Sequence, residues 1–129
     1  MVLLKSLLDR ENMMEKLGVG VDISCISDFK KISFENKRGF YEEIFQPSEI
    51  DYCLKFQDPS CHFAGKFALK EAVKKSINEN IHISKVETFH EKSKPMINLL
   101  DCKSRYGFRA SISHENDYAI AVVISELID

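Results

Sequence analysis

At 129 residues the chain is long enough for a single modest hydrophobic core and too short for two domains. Its 44% hydrophobic and 29% charged residues are those of an ordinary globular protein, and a formal net charge of −2 removes any general case for nucleic-acid binding. Cys25, Cys53, Cys61 and Cys102 have no C-x-x-C spacing and no secretory segment accompanies them, which points to reduced thiols and a cytoplasmic protein.

Met1 to Arg10 has too short an apolar run to span a membrane and lacks a small-residue cleavage site, so no membrane association is expected. Leu3, Leu4, Leu7 and Leu8 fall on one helical stripe. Residues 1–16 therefore read as an N-terminal extension with a short helix, Met13 and Met14 being alternative starts, and residues 17–129 as the single domain.

In Leu17 to Ser24, Val19, Val21 and Ile23 alternate with small or polar residues, which predicts a half-buried strand with the valines inward. Asp22 then lies on the opposite face between Gly20 and Ser24, whose small size leaves room for an ion and its waters. A merely solvated strand aspartate is the alternative, although Asp is depleted in strands. Ile26 to Phe45 reads as helix, loop, helix, broken at 33–39, with Lys30, Lys31, Lys37 and Arg38 forming a basic patch near the break. Ser48, with Asp51 three positions on, predicts a short helix reaching about Gln57.

A long helix follows, with Asp58 as N-cap and Pro59 at its first position. Phe63, Ala64, Phe67, Ala68, Leu69, Ala72, Val73 and Ile77 spread apolar surface around most of the cylinder, as in a helix enclosed by other structure. Glu71 projects from that apolar arc and needs a partner or a metal. Lys66, Lys70 and Lys74 make one ridge, and Lys75 stands one turn beyond Glu71. A carboxylate beside a lysine row suits a metal next to a polyanion; a Glu71 to Lys75 ion pair on a wet face is the plainer alternative.

Ile83 to Glu91 and Met96 to Leu100 read as strands joined by a turn at 92–95. Gly107 to Ser113 alternates, with Phe108, Ala110 and Ile112 on one face and Arg109, Ser111 and Ser113 on the other. After a turn at 115–117, Tyr118 to Ile124 is apolar on both faces and reads as interior; His114 sits at the corner of this hairpin. One strand, then helices, then several strands make an α+β domain.

Three separated blocks now resemble one family. They are Gly18-Val19-Gly20-Val21-Asp22-Ile23, then Phe63 through Ala72 with Lys75 after it, then Ser111-Ile112-Ser113-His114 with Asp117-Tyr118-Ala119. They resemble the signature blocks of holo-acyl-carrier-protein synthase, the small bacterial type of 4′-phosphopantetheinyl transferase. The resemblance implies a mostly antiparallel sheet packed around the long central helix. It also implies transfer of phosphopantetheine from coenzyme A, the co-substrate, to a serine of apo-acyl carrier protein, releasing adenosine 3′,5′-bisphosphate and requiring Mg2+.

By position, Asp22 and Glu71 resemble the family's metal-binding carboxylates, and with Lys75, which is expected to hold the pyrophosphate, they form the catalytic group. Lys66, Lys70 and His114 are the further expected contacts of the coenzyme's phosphates, with Ser111 and Ser113 lining the site. The base is left open between Glu71 and a metal-bound water. A homotrimer with the site between subunits is also implied. The chain departs from the family at Asp28, where an arginine usually helps dock the carrier, at Cys25, commonly acidic, and at Lys66 and Ser93, where arginine and glycine are frequent. Those departures keep two alternatives in view: a coenzyme A-binding module without transfer, or a transferase for a non-standard carrier.

Overall fold

The computed structural model describes residues 2–129. In chain order its elements are helix α1 (Val2–Lys16), strand β1 (Leu17–Cys25), helices α2 (Ile26–Lys31), α3 (Arg38–Ile44), α4 (Pro47–Leu54) and α5 (Ser60–Ser76). A 3-10 turn (Ile83–Lys85) leads into strands β2 (Val86–Glu91), β3 (Lys94–Leu99), β4 (Tyr106–Glu115) and β5 (Tyr118–Leu127). The strands form an antiparallel sheet in the order β1-β5-β4 and a separate β2-β3 hairpin. The expected α+β class and antiparallel pairing are both present.

The fold is arranged by how closely α5 approaches β1. A Cβ on Gly18 would meet the Ser76 carbonyl oxygen at 1.7 Å, and one on Gly20 the Ala72 carbonyl oxygen at 1.9 Å, so only glycine lets strand and helix backbones touch. Ser24 continues the row by donating to the Ala64 carbonyl at 2.7 Å, and Ser125 on β5 donates to Ser76 O at 2.8 Å. The small and polar face of β1 is therefore the inner one.

This corrects two sequence expectations. Val19, Val21 and Ile23 point outward, and β5 is buried on one face only: Ala119, Ala121, Val123 and Ser125 are inside while Ile120, Val122 and Ile124 are outside. These six outward aliphatic residues are between 42% and 68% exposed. Helical packing against glycine and alanine outweighed the apolar count, because close backbone approach needs the smaller side chains.

Helix α5 divides the core in two. Its N-terminal half packs Phe63 and Ala64 into an aromatic cluster with Phe29, Tyr41 and Phe45, and its C-terminal half packs Ala68, Leu69, Ala72 and Val73 against Val86, Ala121 and Val123. The helix begins at Ser60, and Asp58 caps it by accepting from Ser60 N at 3.1 Å. The cap of α4 lies at Gln46 rather than Ser48: Pro47 takes the first position, and Glu49 accepts from Gln46 N at 2.7 Å. No helix of the described residues is long and apolar enough to cross a membrane.

Candidate active site

On the β1 side of α5, Asp22 meets Lys75. The Lys75 ammonium donates to Asp22 Oδ1 at 2.9 Å and to the Val21 carbonyl at 3.1 Å. Asp22 reaches it because Gly20 and Ser24 hold this face of the strand tight against the helix. The Asp22 side chain is only 17% exposed while Lys75 is half exposed, so the lysine covers a largely enclosed carboxylate. Hydrogen bonding to Asp22, then its charge, raises the Lys75 pKa, with the Glu71 charge adding to the effect.

Glu71 stands one turn before Lys75 on the same side of the helix and forms no ion pair among the described residues. The plainer sequence alternative, a Glu71 to Lys75 pair with Asp22 solvated, is thereby replaced. Lys75 is bonded to Asp22, and Glu71 is left half-buried with no ion-pair partner among the described residues.

The lysine ridge of α5 is not a wet face. Lys66 and Lys70 are 2% and 0% exposed. Lys70 donates to Glu49 Oε1 at 2.6 Å inside the protein, an enclosed ion pair with no free hydrogen-bonding face toward a cleft. The expectation that Lys70 grips a coenzyme phosphate is therefore corrected: its charge is consumed by Glu49. Burial lowers the pKa of both lysines, opposed chiefly by the Glu49 charge.

On the opposite side of α5, a cleft of about 650 Å³ opens between the β2-β3 hairpin and the edge of β4. Lys66, Ser111 and His114, all anticipated, line it. Gly65 makes room for the imidazole: a Cβ there would lie 3.2 Å from His114 Nε2, which itself sits 3.3 Å from the Cys61 carbonyl oxygen. Ser113, exposed and paired with Ile120, does not line this cleft.

Sequence reasoning missed Tyr52, His62 and His90 in the cleft wall. Tyr52 stacks on His90 at 5.1 Å between ring centroids, and burial lowers the pKa of both histidines. Their positions in α4, α5 and β2 share no spacing that a motif would reveal. Glu49 and Thr88 were also missed, since a cap residue and a strand threonine are ordinary surface residues in sequence.

Comparisons with known proteins show the family. The sequence model of the 4′-phosphopantetheinyl transferase superfamily matches residues 18–123, and the chain belongs to that superfamily. Within it the chain is similar to holo-acyl-carrier-protein synthases. That of Syntrophus aciditrophicus is 33% identical over 121 residues, covering 84% of this chain and 94% of that protein. That of Helicobacter pylori is 37% identical over 117 residues, covering 82% and 94%. The crystal structure of the Helicobacter pylori holo-acyl-carrier-protein synthase in complex with coenzyme A superposes with a TM-score of 0.71 at 34% identity, covering 84% of this chain and 99% of that one.

Proposed function

We propose that this chain transfers 4′-phosphopantetheine from coenzyme A to a serine of apo-acyl carrier protein, as its holo-acyl-carrier-protein synthase relatives are named for doing. The observation that carries the reading is the joining of Asp22 to Lys75, with Glu71 one turn away. Residues 53 positions apart in sequence become one charged site on the same side of α5.

In the reaction the carrier serine oxygen bonds to the phosphorus that bears pantetheine. The bond from that phosphorus to the bridging oxygen breaks, and adenosine 3′,5′-bisphosphate leaves with the electron pair. Lys75 is the cation placed to hold the pyrophosphate, its charge kept by its own raised pKa. We assign the metal to Asp22, which faces α5 from β1, and Glu71, one turn before Lys75; among the described residues no three His, Cys, Asp or Glu side chains gather as a closed metal site. Two hard carboxylates fit Mg2+, which takes few protein ligands and completes its shell with water and phosphate. Bound there, it would offset the charge that grows on the leaving phosphate. Glu71, half-buried and in no ion pair among the described residues, is the side chain we assign to hold the proton of the attacking serine.

The strand that carries Asp22 continues into an apolar groove of about 580 Å³ lined by Ile23, Phe29, Ile32, Phe40 and Phe67, with Asp28 and Lys31 also along it. We assign this groove to the incoming carrier segment. Lys31, one turn after Asp28, is the cation available to an acidic carrier where the family's arginine is missing.

The nucleotide half of coenzyme A is assigned to the 650 Å³ cleft, which presents Lys66, Lys94, Arg109 and His114 to its phosphates. That cleft and the Asp22 site share no residue and lie at opposite edges of the sheet, β4 and β1. One copy therefore supplies half a site, and the outward Val19, Val21, Ile23, Ile120, Val122 and Ile124 are the surface on which copies would join as a homotrimer. All four cysteines are free, which fits the cytoplasm.

Intact-protein mass spectrometry of apo-acyl carrier protein incubated with this chain, coenzyme A and Mg2+ tests the activity. A gain of one phosphopantetheine is expected, lost by at least about a hundredfold in rate with Asp22→Ala or Glu71→Ala. No gain, with coenzyme A still bound, would turn the assignment to a binding module or to a different carrier.

A further inference from the structure

Lys66 is 2% exposed, yet its ammonium meets no carboxylate within ion-pair distance among the described residues. Its Nζ donates instead to the Thr88 carbonyl at 3.2 Å and to Thr88 Oγ1 at 3.0 Å, and lies 4.7 Å from the centroid of the Tyr52 ring. Glu49, the buried carboxylate of this region, is already filled. Oε1 accepts from Lys70 Nζ at 2.6 Å and Gln46 N at 2.7 Å, and Oε2 accepts from Thr88 N at 3.1 Å and Thr88 Oγ1 at 2.5 Å.

Four donors occupy the four acceptor positions of an ionised carboxylate. Because that carboxylate only accepts, the Thr88 hydroxyl must spend its single proton on Glu49. What it turns toward Lys66 is therefore a lone pair, and the chain of donation runs from Lys66 to Thr88 to Glu49. Two of the three ammonium protons are used. The third has no hydrogen-bond acceptor among the described residues, and Lys66 forms part of the wall of the 650 Å³ cleft. The cluster also holds two ammonium groups against one carboxylate, so it is short of one negative charge. Burial lowers the Lys66 pKa, opposed by the Glu49 charge, and an anion in the cleft is what would restore the charge balance.

We propose that Thr88, its hydroxyl oriented by Glu49, is a positioning residue: it fixes the Lys66 ammonium in the cleft wall with one N–H presented to a phosphate of coenzyme A. This rests on the assignment of the cleft to the nucleotide half of that substrate. Lys66 makes the contact, and Thr88 and Glu49 act through it.

The test is calorimetric titration of adenosine 3′,5′-bisphosphate into the wild-type protein and into Thr88→Val, Thr88→Ser and Lys66→Met, with steady-state kinetics and melting temperatures alongside. Removing the hydroxyl is expected to weaken bisphosphate binding and raise KM for coenzyme A by about tenfold, with kcat within about twofold, since a hydrogen bond to a charged group is at stake. Thr88→Ser restores both, because serine keeps the hydroxyl. Thr88→Ala serves as a second hydroxyl deletion should valine unfold the protein. A lowered melting temperature with unchanged affinity in the hydroxyl-less variants, or failure of serine to restore binding, overturns the proposal while leaving the cleft assignment intact. A wild-type protein that does not bind the bisphosphate, or binds it equally well as Lys66→Met, overturns the cleft assignment itself and the proposal with it.

Discussion

Gly20 and Asp22 show how single residues set this site. The glycine exists so that the aspartate two positions on can stand against α5: with any side chain at 20, β1 must lift away from the Ala72 carbonyl, and the Asp22 to Lys75 bond at 2.9 Å opens with it. Gly20→Ala is expected to cost about 3 kcal/mol, because the atom met at 1.9 Å is helix backbone that cannot rotate aside. In thermal denaturation this is a fall of roughly 10 °C for a chain of this length; an unchanged melting temperature would mean that the strand and helix are not in such contact. At this scale the sequence was informative where a residue type was out of place. A strand aspartate between small neighbours is now paired with Lys75, and the glutamate on the apolar arc lies one turn before that lysine and is proposed to share its site. It was silent where burial converts ordinary residues into partners, as for Glu49, which claims Lys70, and Thr88, which receives Lys66.

Among the elements, the helices and strands were legible from periodicity, because α5 and the hairpins each carry their own pattern and their own caps. The inward face of β1 was not, since an alternating strand gives two faces and the choice between them depends on what packs there. The same limit applied to β5, whose apolar outer face sequence reasoning placed in the interior. The β2-β3 hairpin, one wall of the cleft, turns through Lys92 and Ser93 at φ of 52° and 65°, a left-handed pair that glycine adopts at little cost. Ser93→Gly is expected to stabilise the protein by about 1 kcal/mol, seen as a rise of roughly 3–4 °C in melting temperature. A fall would show that the Ser93 side chain makes a compensating contact in the cleft, which it lines.

At the scale of the whole molecule, the structure leaves two things unfinished, and the proposed joining of copies would complete both. An aliphatic sheet face lies open across β1 and β5, and the charged Asp22 site is separated by α5 and β5 from the cleft assigned to the nucleotide. Joining copies through the open face would cover the aliphatic residues and bring one copy's β1 edge toward another's cleft. Neither feature was open to sequence reasoning without the inward face of β1, although the family resemblance had implied a shared site. The most direct test is to co-express an Asp22→Ala chain with a His114→Ala chain, each strongly impaired alone, and to follow phosphopantetheine addition to the carrier protein by mass. If each site takes Asp22 from one copy and His114 from another, random assembly leaves about a quarter of the sites intact, and the mixture recovers about a quarter of the wild-type rate. A mixture no more active than its two parents would contradict a site shared between copies.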